Sequence, residues 1–397
     1  MLRVIVIGAG INGVTAAIEL KKRGHRVVLV DPGPLPHPLA ASSDISKAVR
    51  STYGADEQYT ALAEEAIDRW HQWNEEAGVD LYHEVGVMFV RQRKMEPGDY
   101  EYESYHLGKK RGRPVIRVNS DWLRERFPAW NEELYPDGLF DPRGGYAESG
   151  RVVAQLVVRA KSLGIELHEG ARFLHLDEGD SGVRGVVLDN EKRLPGDGVV
   201  AAMGAWTPFA LPFTQPFFRA TGHPLFHLRP EKPEIFAPEC FPMFGADITT
   251  TGYYGFPIGR EGVVKIGSHG IGREMSPDSP ERLVTAEEES KFRDFVSSTF
   301  PALANAPIVS TRICLYCDTH DGNFWIAADP ERAGLVIAAG DNGHGFKFAP
   351  LLGEVIADAV EGKENPLAQK FRWRPEVRAG ESKEAARFVP SDGRKGM

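Results

Sequence analysis

Between a run of β-branched residues and a helix-patterned segment the chain reads Gly8-Ala9-Gly10-Ile11-Asn12-Gly13, an order that few folds accommodate. Val4, Ile5, Val6 and Ile7 precede it as a continuous apolar run, the pattern of a strand buried on both faces. Val14, Ala17 and Ile18 follow at helical spacing, and Gly24 stands where a helix would stop. A second apolar run, Arg26 to Val30, closes with Asp31. Strand, glycine turn, helix and strand make the opening unit of a doubly wound parallel sheet. Gly8 permits the tight turn, Gly10 lets backbone approach a pyrophosphate, and Gly13 allows close helix–strand packing. The free N–H groups of the helix N-terminus, here Ile11 and Asn12, face the phosphates, and Asp31 accepts from a ribose hydroxyl. The motif alone does not separate a flavin from a nicotinamide dinucleotide.

The chain has 397 residues, enough for two or three domains around large cores. Its formal charge of −9 argues against a nucleic-acid partner, whose recognition needs a basic face. Three Cys cannot staple a chain of this length, which points to a reducing compartment. No apolar run approaches the roughly 18 to 20 residues that span a bilayer. Met1 to Ile7 is too short and too soon interrupted by Arg3 to be a signal peptide, and Arg394-Lys395-Gly396-Met397 is no recognised address. The expectation is a soluble, cytoplasmic protein with no membrane partner.

Beyond the first unit, residues 41–54 are polar and include Ser42 and Ser43. An amphipathic helix is expected from Glu57 to Glu76, and short strands with polar loops over 80–150. Arg151 to Leu163 reads as helix, 165–175 and 182–189 as strands. Gly198 to Trp206 reads as a buried strand ending in small residues, suited to backbone passing close to a ligand. From Pro212 to about Thr311 the composition turns to Pro, Phe and alternating strands, the mark of a largely β unit. Leu335 to Ala339 is again a buried strand, followed by Gly343-His344-Gly345-Phe346-Lys347 and a helix through Ala359. Strand, glycines and helix thus occur at both ends, so distant segments should build one sheet. The last thirty residues are charged and contain prolines, and should wrap or fray.

Period two in Arg312 to Thr319 puts Arg312, Cys314 and Tyr316 on one face and Ile313, Leu315 and Cys317 on the other. Cys314 and Cys317 therefore do not share a disulfide or a metal, and no metal site is expected; read alone, Cys314 is a buried structural thiol. In Gly262 to His269 the same alternation aligns Val263, Lys265, Gly267 and His269, with room for a ring beside the lysine. Lys47 and Arg50 lie three apart in a polar stretch, either of them equally suited to a solvated surface. Lys347 falls at a helix start, where the dipole disfavours a cation and an anionic partner would favour it. Tyr254, His223 and Trp325 are individually uninformative.

Taken together, these stretches resemble the FAD-dependent amine oxidases typified by monomeric sarcosine oxidase, with the fructosyl-amino-acid oxidases (amadoriases) as close cousins. The resemblance rests on the glycine turn with Asp31, on Lys47 to Gly54, on Tyr254 and Lys265 to His269, and on Cys314-Leu315-Tyr316 with Gly343 to Lys347. It implies an α/β fold in which a Rossmann-like FAD-binding domain, of the p-hydroxybenzoate hydroxylase kind, is interleaved with a mostly antiparallel β substrate domain. The expected division is 1–84, 145–211 and 305–362 for FAD, 85–144 and 212–304 for substrate, and 363–397 as a tail. The resemblance also implies a flavin attached through the sulfur of Cys314, with Lys265 beside it promoting oxygen reduction. Arg50 and Lys347 would hold a substrate carboxylate, and His269, Tyr254 and Tyr316 would line the substrate pocket. Lys47 would stand beside the flavin, and Phe173, Gly204 and Trp206 along the cofactor, with Gly343, His344, Gly345, Phe346 and Lys347 closing its far end.

The implied activity is oxidation of the secondary amine of an N-methyl or cyclic amino acid to an imine, with O2 reduced to hydrogen peroxide by a monomer. Asp44-Ile45-Ser46-Lys47 and Phe371-Arg372-Trp373-Arg374-Pro375 are closer to the amadoriases, which keeps deglycation of fructosyl amino acids as an alternative. A dehydrogenase passing electrons to a partner is another.

Overall fold

A computed structural model describes residues 1–378 together with 384, 386 and 387. At its centre is a six-stranded sheet in the order Trp325–Ala328, Leu335–Ala339, Gly198–Ala201, Arg3–Ile7, Arg26–Asp31, Glu166–Glu169. Its neighbours are parallel except for the antiparallel edge strand Trp325–Ala328. Parallel strands need both faces covered. One face carries the helices Ile11–Lys22, Glu57–Ala77, Ser149–Ser162 and Ala349–Glu361, which meet in one core with Val4, Val6 and Leu29. A Cβ on Gly353 would lie 2.8 Å from the Thr15 carbonyl, so the first and last of these helices cross almost backbone to backbone. The other face carries the antiparallel strands Phe173–Gly179, Gly182–Leu188 and Arg193–Pro195 over Ile5, Ile7, Val28 and Val30.

A second, nine-stranded sheet is mostly antiparallel. Its long element, Phe218–Leu228, pairs with Ile308–Thr319 along nearly its whole length and with Val264–Ser268 on its other edge. Val87–Arg91 and Asp137–Asp141 extend the sheet beyond Met243–Ala246. The fold is therefore the expected α/β type with a Rossmann-like unit and a β-rich unit.

Several local expectations are corrected. Residues 80–150 hold two helices, Tyr100–Lys110 and Ser120–Arg126. The first buries only Tyr100, Glu101, Ser104 and Gly108, so it shows no apolar stripe. The stretch 165–175 is two strands in different sheets, Glu166–Glu169 and Phe173–Gly179, parted by Gly170 at φ +77°. The β-rich region contains the helix Ala286–Thr299, whose start is a capping box between Thr285 and Glu288 and whose Phe292 stacks on Phe226 at 3.8 Å. The strand beginning at Gly198 stops at Ala201, and Gly204–Trp206 is a single 3₁₀ turn. Of the tail expected to wrap or fray, 379–383, 385 and 388–397 lie outside the described residues.

Candidate active site

The glycine turn opens one end of a cleft of about 1000 Å³ that is open to solvent and lined by Gly8, Gly10, Ile11, Asn12, Asp31, Ser42, Phe173, Gly204 and Trp206. Gly8 sits at φ +96°, and a Cβ there would lie 2.4 Å from the Ala202 carbonyl. A Cβ on Gly13 would lie 1.8 Å from the Gly8 carbonyl, so this glycine packs the helix onto the turn rather than facing the cleft. Around Gly10 the nearest atom to such a Cβ is the Ser42 hydroxyl at 3.4 Å, which leaves the backbone open to a ligand. Asp31 accepts from Ala9 N–H at 2.8 Å and Gly33 N–H at 3.0 Å, and keeps lone pairs for a ribose. The buried Asn12 Oδ1 and Ser43 hydroxyl have no hydrogen-bond partner among the described residues. Of the N–H groups expected to be free for phosphates, that of Ile11 instead donates to the Ser42 hydroxyl at 3.2 Å, because the 41–54 stretch folds over the turn. The open backbone at Gly10, the acid closing the next strand and an unpartnered amide oxygen fit a dinucleotide.

The strand Ile308–Thr319 divides this cleft from a second pocket. Leu315 and Cys317 line the cleft, whereas Tyr316 lines the pocket with Cys314 buried on its own face beside Leu225. The alternation read from sequence holds. Against Tyr316 the turn at Gly343 (φ +73°) comes so close that a Cβ would lie 2.2 Å from the ring, while His223 stacks on that ring at 3.8 Å.

The pocket, about 520 Å³, gathers Lys47, Arg50, Tyr254, His269, Tyr316, Gly343, His344, Phe346 and Lys347 from five separate segments. Arg50 Nη1 donates to the Thr52 carbonyl and, at 2.9 Å, to Tyr100. Lys347 Nζ donates to Tyr53 at 2.9 Å and to the His344 carbonyl at 2.7 Å. Burial, with Arg50 nearby, pushes the Lys347 amine well below its ordinary pKa, and an anion in the pocket would favour its charged form. His344 and Phe346 serve the frame: His344 bonds Tyr53 at 3.0 Å, and Phe346 stacks on Trp70. Gly345 packs against Asp341. The space beside Gly267, expected to leave room for a ring, is filled by Leu225 and the phenol of Tyr254, which a Cβ there would meet at 2.5 and 2.9 Å.

Lys265 and Cys314 line neither cavity. Lys265 is 1% exposed, and its ammonium donates to Asp44 Oδ2 at 2.6 Å and to the Ser46 carbonyl. Lys47 reaches the same Asp44 oxygen at 3.6 Å and the Cys314 sulfur at 3.5 Å. Burial depresses Lys265 to about 8 despite the attraction of Asp44. Burial would also protonate Asp44, but the two lysines and Arg312 outweigh it and hold the carboxyl well below its usual range. Lys47 ends above its ordinary value, because Cys314 and Asp44 together overcome its burial. Asp44 is thus a hub that the motif reading passed over, its backbone carbonyl fixed by Gly150 N–H and the Ser149 hydroxyl.

Two further residues escaped the sequence reading. Glu384 Oε1 meets Arg50 Nη2 at 3.1 Å, and its Oε2 meets His269 Nε2 at 2.7 Å. Burial alone would raise Glu384, but the His269 and Arg50 contacts win and hold it well below the usual range. Arg387 makes a bidentate pair with buried Asp318, both contacts at 2.9 Å. No motif surrounds either residue; the only signal was the charge of the tail.

The sequence model of the family described as FAD dependent oxidoreductase (DAO) matches residues 3–359. Monomeric sarcosine oxidase from Bacillus sp. (strain B-0618) is 28% identical over 91% of this chain and 92% of its own length. L-saccharopine oxidase from Schizosaccharomyces pombe is 26% identical over 96% and 95%. Among solved structures, fructosamine oxidase (Amadoriase II) from Aspergillus fumigatus superposes with a TM-score of 0.84 at 24% identity, covering 98% of this chain and 94% of that one. At that identity the superposition speaks for the fold. Among the described residues no helix is long and apolar enough to cross a membrane.

Proposed function

We propose, for a chain that belongs to the FAD dependent oxidoreductase (DAO) family, that it oxidises the secondary amine C–N bond of an N-substituted amino acid. The observation that carries this reading is the convergence of Arg50 and Lys347 in a pocket separated from the dinucleotide cleft by a single strand. Arg suits bidentate carboxylate binding and Lys a point contact, so the pair would orient an amino acid by its acid group. Held there, the amine loses most of its orientational freedom before reaction. Tyr254, Tyr316 and His269 would exclude water around it.

Gly8, Gly10, Ile11, Asn12, Asp31, Ser42, Phe173, Gly204 and Trp206 would hold the adenosine and pyrophosphate of FAD, with Lys47, Cys314 and the 343–347 turn at the other end. Bound FAD supplies a two-electron acceptor. The product imine would hydrolyse to an amine and a carbonyl compound, and O2, reduced to hydrogen peroxide, would be the terminal oxidant. We assign no strong base among the described residues of the pocket, and positioning suffices for a neutral amine. The ammonium of Lys265, fixed by Asp44, would stabilise charge developing on oxygen. We assign the sulfur of Cys314 as the flavin attachment point and the FAD and substrate domains to the segments given above. The working form would be a cytoplasmic monomer.

The test is peroxide release by FAD-loaded protein from a panel of N-methyl, cyclic and fructosyl amino acids. Preference for the first two classes supports the reading. Preference for the third makes it a deglycating oxidase. A yellow protein whose reduced flavin persists in air would be a dehydrogenase. Acid precipitation should give a yellow pellet, and Cys314→Ser a colourless one; colour retained in that variant would move the link elsewhere.

A further inference from the structure

We propose that Glu384 is a specificity-determining residue of this pocket, a resident carboxylate seated on the cation that would otherwise grip the substrate's acid group. The inference rests on the reading of Arg50 given above. Both carboxylate oxygens are engaged: Oε1 by Arg50 Nη2, Oε2 by His269 Nε2 and by Ala386 N–H at 3.0 Å. With Nη1 of Arg50 committed to Thr52 and Tyr100, Nη2 is the nitrogen an incoming carboxylate would share with Glu384.

The group is no loose surface side chain. Its side chain is 2% exposed, and three residues on Arg387 is tied to Asp318 and donates to the Asn342 carbonyl at 2.8 Å. Arg387 also lies over the ring of Tyr316, the residue that forms the pocket wall. A second ion pair thus anchors the chain three residues from Glu384.

Two carboxylates on one guanidinium in a buried site repel, and that repulsion works as selection against the wrong ligand. A compact N-substituted α-amino acid, whose acid group lies close to its amine, must share Arg50 with Glu384. An amine whose carboxylate lies farther away, or which brings hydroxyl or cationic donors, instead finds an acceptor in Glu384. The substrate class favoured, within the N-methyl and cyclic amino acids of the reading above, is one whose side chain brings donor groups to Glu384.

The experiment compares the FAD-loaded parent with Glu384→Gln and Glu384→Ala, using acetate as the probe and flavin absorbance as the readout. Both variants should bind acetate about tenfold or more tightly than the parent. The KM for N-methylglycine should fall similarly, while kcat/KM for a fructosyl amine lacking a carboxylate should drop. Acetate affinity that is unchanged or weaker in both variants overturns the proposal. Because acetate binding needs no turnover, the two readings fail separately. Absence of peroxide from every amine would sink the oxidase reading and leave the titration to judge Glu384. Peroxide with unchanged acetate affinity would sink Glu384 alone.

Discussion

Lys265 is a cation placed where burial works against its charge and one carboxylate works for it. The balance leaves it at about 8, close enough to neutrality for solution pH to decide its state. Below that value the ammonium is present; above it the amine is neutral. If the charge serves oxygen reduction, the rate of flavin reoxidation should decline as pH rises through about 8, while amine binding through Arg50 is unaffected. Lys265→Met should lower reoxidation about 10²-fold or more at neutral pH and abolish that pH dependence, as read by stopped-flow absorbance. A reoxidation rate within a few-fold of the parent would remove Lys265 from the chemistry. The sequence alternation had brought Lys265 and His269 to one face; what it lacked was Asp44, because a contact 221 residues away leaves no local pattern.

At the scale of elements, the glycine turn and its strands were read almost to the residue, since both the apolar runs and the turn are local consequences of sterics. Gly13→Ala puts a methyl group into the Gly8 carbonyl, where both partners are backbone and neither can yield. The expected result is a loss of about 2 kcal/mol or more in stability, with FAD retention impaired, measured by thermal melting with and without added FAD. An alanine variant melting like the parent would mean that the turn is not held as described. The helix Tyr100–Lys110 was missed for an equally physical reason: packed through Tyr100, Ser104 and Gly108, it needs no apolar stripe to dock. Ala286–Thr299 was legible in principle from Thr285 and Glu288, but its charged first turn masked the Phe292, Phe295 and Val296 face.

At the scale of the whole molecule, residues from position 8 to position 387 meet around one strand, Ile308–Thr319, which carries Tyr316 toward the pocket and Asp318 toward Arg387. Buried ion pairs of this kind add little net stability when complete, but breaking one leaves an uncompensated charge. Asp318→Ala should cost about 3 kcal/mol or more by denaturant titration, since Arg387 is almost wholly buried. It should also loosen the hold on Glu384 and move acetate affinity in the same direction as Glu384→Gln. A fully stable Asp318→Ala protein would show that Arg387 readily finds another partner.

The dinucleotide turn, the buried parallel strands and the two faces of the Cys314–Cys317 stretch follow from patterns within a few residues, because steric preference and periodicity act at short range. The shared Asp44 oxygen between two lysines, and the carboxylate that Glu384 sets on Arg50, exist only after distant segments pack together. Charge pairing is decided by distance in space and by exclusion of water. Neither quantity is written into the order of the residues.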